Sequence, residues 1–252
     1  MWEASKVCSM SRTNLIDLIN NKIPAIRVRS FADDREITSL SELLVRCTIQ
    51  SNSIPEVTRY GLSQYHDGIK ATKENYFNKA SLASSEFNSI FEKSFNPMHR
   101  FLSLLRSLRF DADIMHEEGF GQYFAGTAKE RNGESPVHVD FAPQDSAGWK
   151  VAKSLSQLAW NLYLKVPKQD PGELRIWNKQ WRREDDIFMV RDSYYFDSHI
   201  TAGSSSVTIG VDRGDIILIN SRNYHSVLQT SQRLSYGSFI SFMGMNKLRM
   251  WS

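Results

Sequence analysis

Only two cysteines, Cys8 and Cys47, occur in 252 residues. That is too few for a disulfide framework, and it makes a reducing cytoplasm the expected compartment. Long apolar runs are missing as well. No stretch reaches membrane-spanning length, and no basic segment followed by an apolar one opens the chain, so no membrane association is expected. Blocks of consecutive Lys or Arg are also lacking. The 31 basic and 28 acidic residues leave a net charge of +3, without the footprint of a nucleic-acid binder. Internal repeats, low-complexity tracts and an interdomain linker are absent. What remains is an ordinary composition, 41% hydrophobic and 23% charged, rich enough for a sizeable core. A β-rich chain of this length commonly folds as one unit, so a single domain is expected over residues 1–252.

The two halves differ in texture. Residues 1–118 read as mostly helical support. Leu40, Leu43, Leu44 and Val45 follow Asp33, Asp34 and Ser39, which predicts one helix start. Phe87, Ile90 and Phe91 predict a second helix, ended near Asn96-Pro97, and Phe101 to Leu108 predict a third. Residues 23–28, with Pro24, read as a short strand at a sheet edge. From Gly119 the pattern turns strand-like: 120–125, 136–139, 158–166, 173–177, 206–211, 215–219, 225–228 and 234–242, divided by Gly, Pro, Asn and Asp turns. Short strands after a helical preface predict a β-sandwich or barrel, with its core over 119–244, buttressed by N-terminal helices. Residues 178–205 form a charged, aromatic insertion, read as a lid with a helix near 183–190.

Within that strand-rich half stands the triplet His138-Val139-Asp140, followed far downstream by His225 and then by Arg233 and Ser235. In a strand, residues two apart share a face, so His138 and Asp140 can converge while Val139 points away. Two imidazoles and one carboxylate are the donor set that holds a non-haem ferrous ion and leaves coordination positions open. Taken singly, His138 reads as a buried histidine, Asp140 as a turn carboxylate and Arg233 as a solvated strand charge.

The order of the motifs carries more. Gln122-Tyr123-Phe124-Ala125-Gly126 is followed by the triplet, then by Trp160-Asn161-Leu162-Tyr163-Leu164 and Pro171-Gly172-Glu173-Leu174. Arg213-Gly214-Asp215, His225-Ser226-Val227 and Arg233-Leu234-Ser235 complete the series. In this the second half of the chain resembles the iron(II)- and 2-oxoglutarate-dependent oxygenases, both prolyl-hydroxylase-like members and the free amino-acid hydroxylase and halogenase branch. One glycine of the family's Gly-Gly-Glu turn is replaced by Pro171.

The resemblance implies a mainly β fold, a double-stranded β-helix or cupin-like jelly roll flanked by helices. It implies Fe(II), 2-oxoglutarate and O2 as cofactor and cosubstrates, with His138, Asp140 and His225 as metal ligands. Arg233 would pair with the distal carboxylate of 2-oxoglutarate, with Ser235, Tyr123 and Gln122 beside it. Radical halogenases of this kind replace the carboxylate ligand by a small residue. This chain keeps Asp140, which favours hydroxylation.

Without a carrier-docking or nucleic-acid module, a free small molecule is the expected substrate, possible oligomerisation being limited to a homodimer through the helical half. Glu134, Trp160, Trp177 and Arg191 are the substrate-contact candidates, amid a mixture of aromatics and both charge signs that would suit an amino acid. The competing expectations are a protein modifier with an open peptide groove, a non-catalytic jelly-roll binding protein, and a cupin that uses metal without a cosubstrate.

Overall fold

Capping residues, more than propensity, place the helices. The computed structural model describes residue 2 and residues 6–54, 56–69 and 72–252. Helix α1 (Arg12–Ile19) starts at Ser11, whose hydroxyl accepts from the Asn14 amide. Helix α2 (Asp34–Leu44) starts at Asp33 and not at Ser39, because Asp33 and Glu36 form a reciprocal capping box. Thr72 caps α3 (Lys73–Glu92), and Asn96 caps α4 (Pro97–Ser107), with Pro97 in the first turn, where its missing amide costs nothing. Each helix buries one apolar stripe: Ile37, Leu40 and Leu44 on α2, Tyr76, Phe77, Ala83 and Phe87 on α3, Phe101, Leu102 and Leu105 on α4.

The strands run, in chain order, as β1 (Cys8–Ser9), β2 (Ala25–Val28), β3 (Gln50–Ile54), β4 (Val57–Tyr60), β5 (Asp111–Ile114), β6 (His116–Glu117), β7 (Gly121–Gln122) and β8 (Thr127–Arg131). They continue as β9 (Ser135–His138), β10 (Ser156–Lys165), β11 (Leu174–Gln180), β12 (Ser206–Ile209), β13 (Ile216–Asn220), β14 (Asn223–Val227), β15 (Arg233–Phe242) and β16 (Lys247–Trp251). A large sheet has the order β1-β2-β13-β10-β15-β8-β4-β3, with β16 joined to β15 and β5 to β16. A smaller sheet, β12-β11-β14-β9, forms the other wall. The fold is mainly β with helices on one side, the jelly-roll class that the motif order implied.

Alternation along β10 separates two cores. Leu158, Trp160, Leu162 and Leu164 join the helices in one cluster, where Trp160 stacks on Phe101 with ring centroids 4.4 Å apart. Ala159 and Tyr163 face the other way, into a cluster with Leu174, Ile176 and Val227 of the small sheet. The large sheet is therefore sandwiched, with helices outside and the small sheet inside.

Several expectations change. The first 118 residues are not mostly helical, since β1 to β6 lie among them and β2, β3 and β4 extend the large sheet. The polar run Gln50-Ser51-Asn52-Ser53-Ile54 has no apolar alternation to announce a strand; its pairing with β4 supplies the order. Strand β2 is no edge, because β1 and β13 flank it and Pro24 lies just ahead of the ladder. The strand expected over 120–125 shrinks to Gly121–Gln122, paired with His116–Glu117. In the insertion, Arg183–Phe188 is a 3-10 turn and not an α-helix. None of its residues is buried, and Asp185 and Asp186 accept local hydrogen bonds from Arg182 N and Trp181 Nε1, so no apolar face drives a longer helix. The insertion instead anchors Trp181, Phe196 and Ile200 against Val139, Phe141 and Tyr224.

Gly237, on β15 between β8 and β10, is required by the close approach of β10. A Cβ there would lie 2.0 Å from the Trp160 carbonyl oxygen, which is backbone and cannot turn aside. Gly237→Ala is expected to cost about 3 kcal/mol of stability by overpacking, read as a lower urea midpoint with an unchanged slope.

Candidate metal centre and its two cavities

His138 and His225 are direct partners across the antiparallel pair β9 and β14, with ring centroids 4.2 Å apart. Asp140 follows β9 in a segment fixed at both backbone groups. Its amide donates to the Ser221 carbonyl at 2.9 Å, and its carbonyl accepts from Ser221 Oγ and Gln157 Nε2. Asp140 Oδ2 lies 3.3 Å from His225 Nε2 and 3.9 Å from His138 Nε2. One ligand atom from each residue falls within 4.8 Å of the others, the one such His/Cys/Asp/Glu group found among the described residues.

The imidazole orientation is imposed from behind. His138 Nδ1 lies 2.8 Å from the Pro136 carbonyl, and His225 Nδ1 lies 2.8 Å from the Asn223 carbonyl. A carbonyl only accepts, so each Nδ1 carries the proton and each Nε2 turns a lone pair toward Asp140. Burial, reinforced by the neighbouring His225, pushes His138 down to about 3, against the opposing pull of Asp140, so this ring is neutral at physiological pH. Burial alone would raise Asp140. The neighbouring imidazoles, His225 first, and the ammonium of Lys129 outweigh it and hold the carboxyl well below the usual range. Two lone pairs and a carboxylate thus meet with no proton shared among them. That donor chemistry fits a divalent transition ion.

Two cavities meet at this cluster. An inner pocket of about 120 Å³ runs between the sheets past Tyr163, Leu174 and Val227 to Arg233 and Ser235. An outer chamber of about 400 Å³ lies under the insertion, walled by Tyr65, Phe141, Tyr194, Phe196 and Trp251 among others. His138, Asp140, Lys129 and Arg131 line both.

Strand register explains what faces the interior. Directly paired residues share a face, so Arg59, Lys129, Ser235 and Tyr163 form one row across β4, β8, β15 and β10. Arg131 pairs with Arg233 in the next row. Arg233 is buried, at 7% exposure, and sits 5.5 Å from the Tyr163 ring centroid. One Nη donates to the Gly172 carbonyl, while Nε has no partner and no carboxylate pairs with the group among the described residues. Burial lowers its pKa. A buried guanidinium lacking a counterion in the inner pocket matches the carboxylate of a bound acid.

The sequence model of one family, described as the carrier-protein-independent halogenase WelO5, matches residues 4–252. The chain belongs to that family. A curated relative, leucinostatins biosynthesis cluster protein S of Purpureocillium lilacinum, is 30% identical over 199 residues, covering 75% of this chain and 80% of the relative. The L-isoleucine 3(1)-dioxygenase of Pantoea ananatis is 30% identical over 124 residues, covering 47% of this chain and 40% of that enzyme. Among solved structures, an N-substituted L-amino acid dioxygenase from Burkholderia ambifaria shares the fold. Its TM-score is 0.65 at 15% identity, over 96% of this chain and 91% of that one. The chain is an iron(II)- and 2-oxoglutarate-dependent oxygenase, as the motif series implied.

The remaining sequence candidates divide. Ser235 lines the inner pocket beside Arg233. Tyr123 and Gln122 do not. Tyr123 lies outside the sandwich against Tyr76, Phe77 and Trp149, and Gln122 is exposed on the short ladder with His116. The strand before the triplet that faces the site is β8, so Lys129 and Arg131 stand where Tyr123 and Gln122 were expected. The alternation Thr127, Lys129, Arg131 was the available signal.

Trp160 is among the residues lining the inner pocket, but its ring packs into the helical core and donates to Ser238 Oγ at 2.7 Å. Trp177 packs with Trp181 and Tyr224 behind the small sheet, outside both cavity linings. Glu134 is exposed, and Arg191 is 95% exposed at a loop tip beside Asp192. The insertion contributes Asp186, Met189, Ser193, Tyr194 and Phe196 to the outer chamber instead, and the Tyr194 ring centroid lies 5.5 Å from that of His138.

Tyr123 has a structural partner. Its hydroxyl donates to Glu117, which also takes Lys73 Nζ at 2.7 Å and the Lys150 amide at 2.8 Å. Burial alone would raise Glu117, but these bonds, Lys73 first, outweigh it and lower its pKa. A depressed carboxylate stabilises the fold above its unfolded value, and that contribution is lost as pH falls through the folded value. Glu117→Gln is therefore expected to cost about 2 kcal/mol at pH 7. In urea titrations the gap to wild type should narrow steadily on acidification below pH 5, on the order of the unfolded carboxylate range.

Proposed function

We propose that this oxygenase hydroxylates an unactivated C–H bond of a small molecule, an amino acid or a related natural-product intermediate. The carrying observation is the junction: a three-ligand cluster between an inner pocket holding Arg233, which has no carboxylate partner among the described residues, and a larger chamber covered by the insertion. The reading is supported by the relatives, one named an isoleucine dioxygenase and one a biosynthesis cluster protein.

In this reading His138, Asp140 and His225 would hold the ferrous ion, which with 2-oxoglutarate and dioxygen supplies the oxidising power. One oxygen atom enters the substrate C–H bond as hydroxyl, and the other enters succinate as carbon dioxide leaves. The protein's own work is positional. The Pro136 and Asn223 carbonyls accept from the two Nδ1 atoms and aim both Nε2 atoms at the metal position. Arg233, on the Tyr163 face, would pair with the distal carboxylate of 2-oxoglutarate, and Ser235 would add a hydrogen bond. Tyr194, Phe196 and Phe141 wall the chamber with apolar surface and exclude water around the reacting carbon.

The family's halogenase description makes halogenation the second reading. Asp140 weighs against it, because a protein carboxylate takes the position that a halide needs. Purified enzyme with Fe(II), ascorbate, 2-oxoglutarate, an amino-acid panel and excess chloride tests the pair of readings by mass spectrometry. A gain of one oxygen, coupled to succinate, is expected; a chlorinated product from the unaltered enzyme overturns hydroxylation. Asp140→Ala is expected to reduce succinate formation at least about 100-fold, by loss of one ligand and of the charge that binds the ion. Arg233→Ala is expected to raise the KM for 2-oxoglutarate by about tenfold or more, the worth of a charge-assisted pair. Unchanged 2-oxoglutarate kinetics in that variant would remove Arg233 from the cosubstrate site.

A further inference from the structure

One cation at the junction, beyond its field on Asp140, has no ion-pair partner of its own among the described residues. Lys129 projects from β8 between Arg59 and Ser235 and lines both the inner pocket and the outer chamber. No carboxylate lies within ion-pair distance of it among the described residues; Asp140 acts on it from farther off, and its one ring neighbour, Phe239, is 6.0 Å from Nζ. Arg131 beside it donates to the Glu134 carbonyl and also has no acidic partner there. Arg59, by contrast, faces Asp67 at 3.5 Å.

Charge bookkeeping then points outward. A divalent ion, Asp140 and a doubly charged 2-oxoglutarate sum to one negative charge, which Arg233 offsets. Exposed Lys129 and half-buried Arg131 remain as two cations facing the chamber, where their field favours an anion. Acidic groups stand elsewhere on the same chamber's wall: Asp145 and Asp186. Cations by the metal cluster, acids elsewhere and aromatic walls between them match a zwitterion.

We propose that Lys129 is the residue that selects the substrate, its ammonium pairing with the carboxylate of an amino acid seated in the outer chamber. This rests on the oxygenase reading above and adds the substrate class to it. Arg131, with one Nη on the Glu134 carbonyl, adds positive field beside it. The carboxylate end lies by the metal cluster, and the amino group reaches toward Asp145 and Asp186.

Binding can be measured without turnover. Wild type, Lys129→Met and Lys129→Arg, each loaded with Mn(II) and 2-oxoglutarate in the absence of oxygen, are titrated calorimetrically. The probes are the twenty L-amino acids and their carboxamides. At least one acid is expected to bind wild type, with its carboxamide at least about tenfold weaker, the step expected when a charged partner is lost. Lys129→Met should lose about tenfold or more for the acid, and Lys129→Arg should recover part of it, while both keep 2-oxoglutarate affinity within about threefold.

Three results overturn the proposal: carboxamides that bind wild type as well as the acids, no acid that binds at all, or Lys129→Met with undiminished acid affinity. A fourth is loss of 2-oxoglutarate affinity in Lys129→Met, which would make the residue part of the cosubstrate pocket. A wild type that binds neither Mn(II) nor 2-oxoglutarate is a different failure. It would sink the oxygenase site itself, and this proposal with it.

Discussion

Two hydrogen bonds to main-chain carbonyls govern this site. By holding the Nδ1 protons of His138 and His225, the Pro136 and Asn223 carbonyls turn both Nε2 lone pairs toward one carboxylate. Both acceptors lie two residues before the histidine they orient, within or next to the strand that carries it, so the ladder between β9 and β14 sets the donor geometry. Asp140 is held separately by Ser221 and Gln157, from the turn between β13 and β14 and from β10. The cluster is thus anchored in both sheets, and helices on the outer face stiffen the larger one.

The same strand geometry divides the interior into two compartments with different tasks. The inner one is small, is lined in part by the apolar core of the sandwich, and holds a guanidinium with no acid to pair with among the described residues. The outer one is larger, amphoteric and covered by a segment anchored through Trp181, Phe196 and Ile200. The metal donors stand at the boundary, with the cosubstrate proposed for the first and the amino acid for the second. Family membership and the retained Asp140 then pull in opposite directions on the chemistry. That tension falls on a single ligand position.

Much of this was legible from residue order. The period of two made His138 and Asp140 neighbours in space, and the motif series marked β10, β11, β13, β14 and β15 within a few residues of their observed bounds. Strand parity along β10 also carries information about its aromatics. If Asn161 and Tyr163 face inward, Trp160 cannot, and it belongs to the helical core. The Tyr-x-x-Gly likeness at 123–126 pointed one element too early, because that stretch lies against α3 and the pocket-facing strand begins at Thr127. Illegible were the long-range pairings. Polar β3 becomes a strand only through β4, and Lys129 acquires its place only from the register of β8 against β15 and β4.

The central claim is that three side chains and one distant arginine share a single metal and keto-acid site. A crystal structure grown without oxygen in Mn(II) and 2-oxoglutarate tests it most directly. The account predicts one ion bonded to His138 Nε2, His225 Nε2 and an Asp140 oxygen, with the diacid chelating it and its far carboxylate on Arg233. An ion bound elsewhere, or a diacid lying in the outer chamber with Arg233 still unpaired, would contradict it.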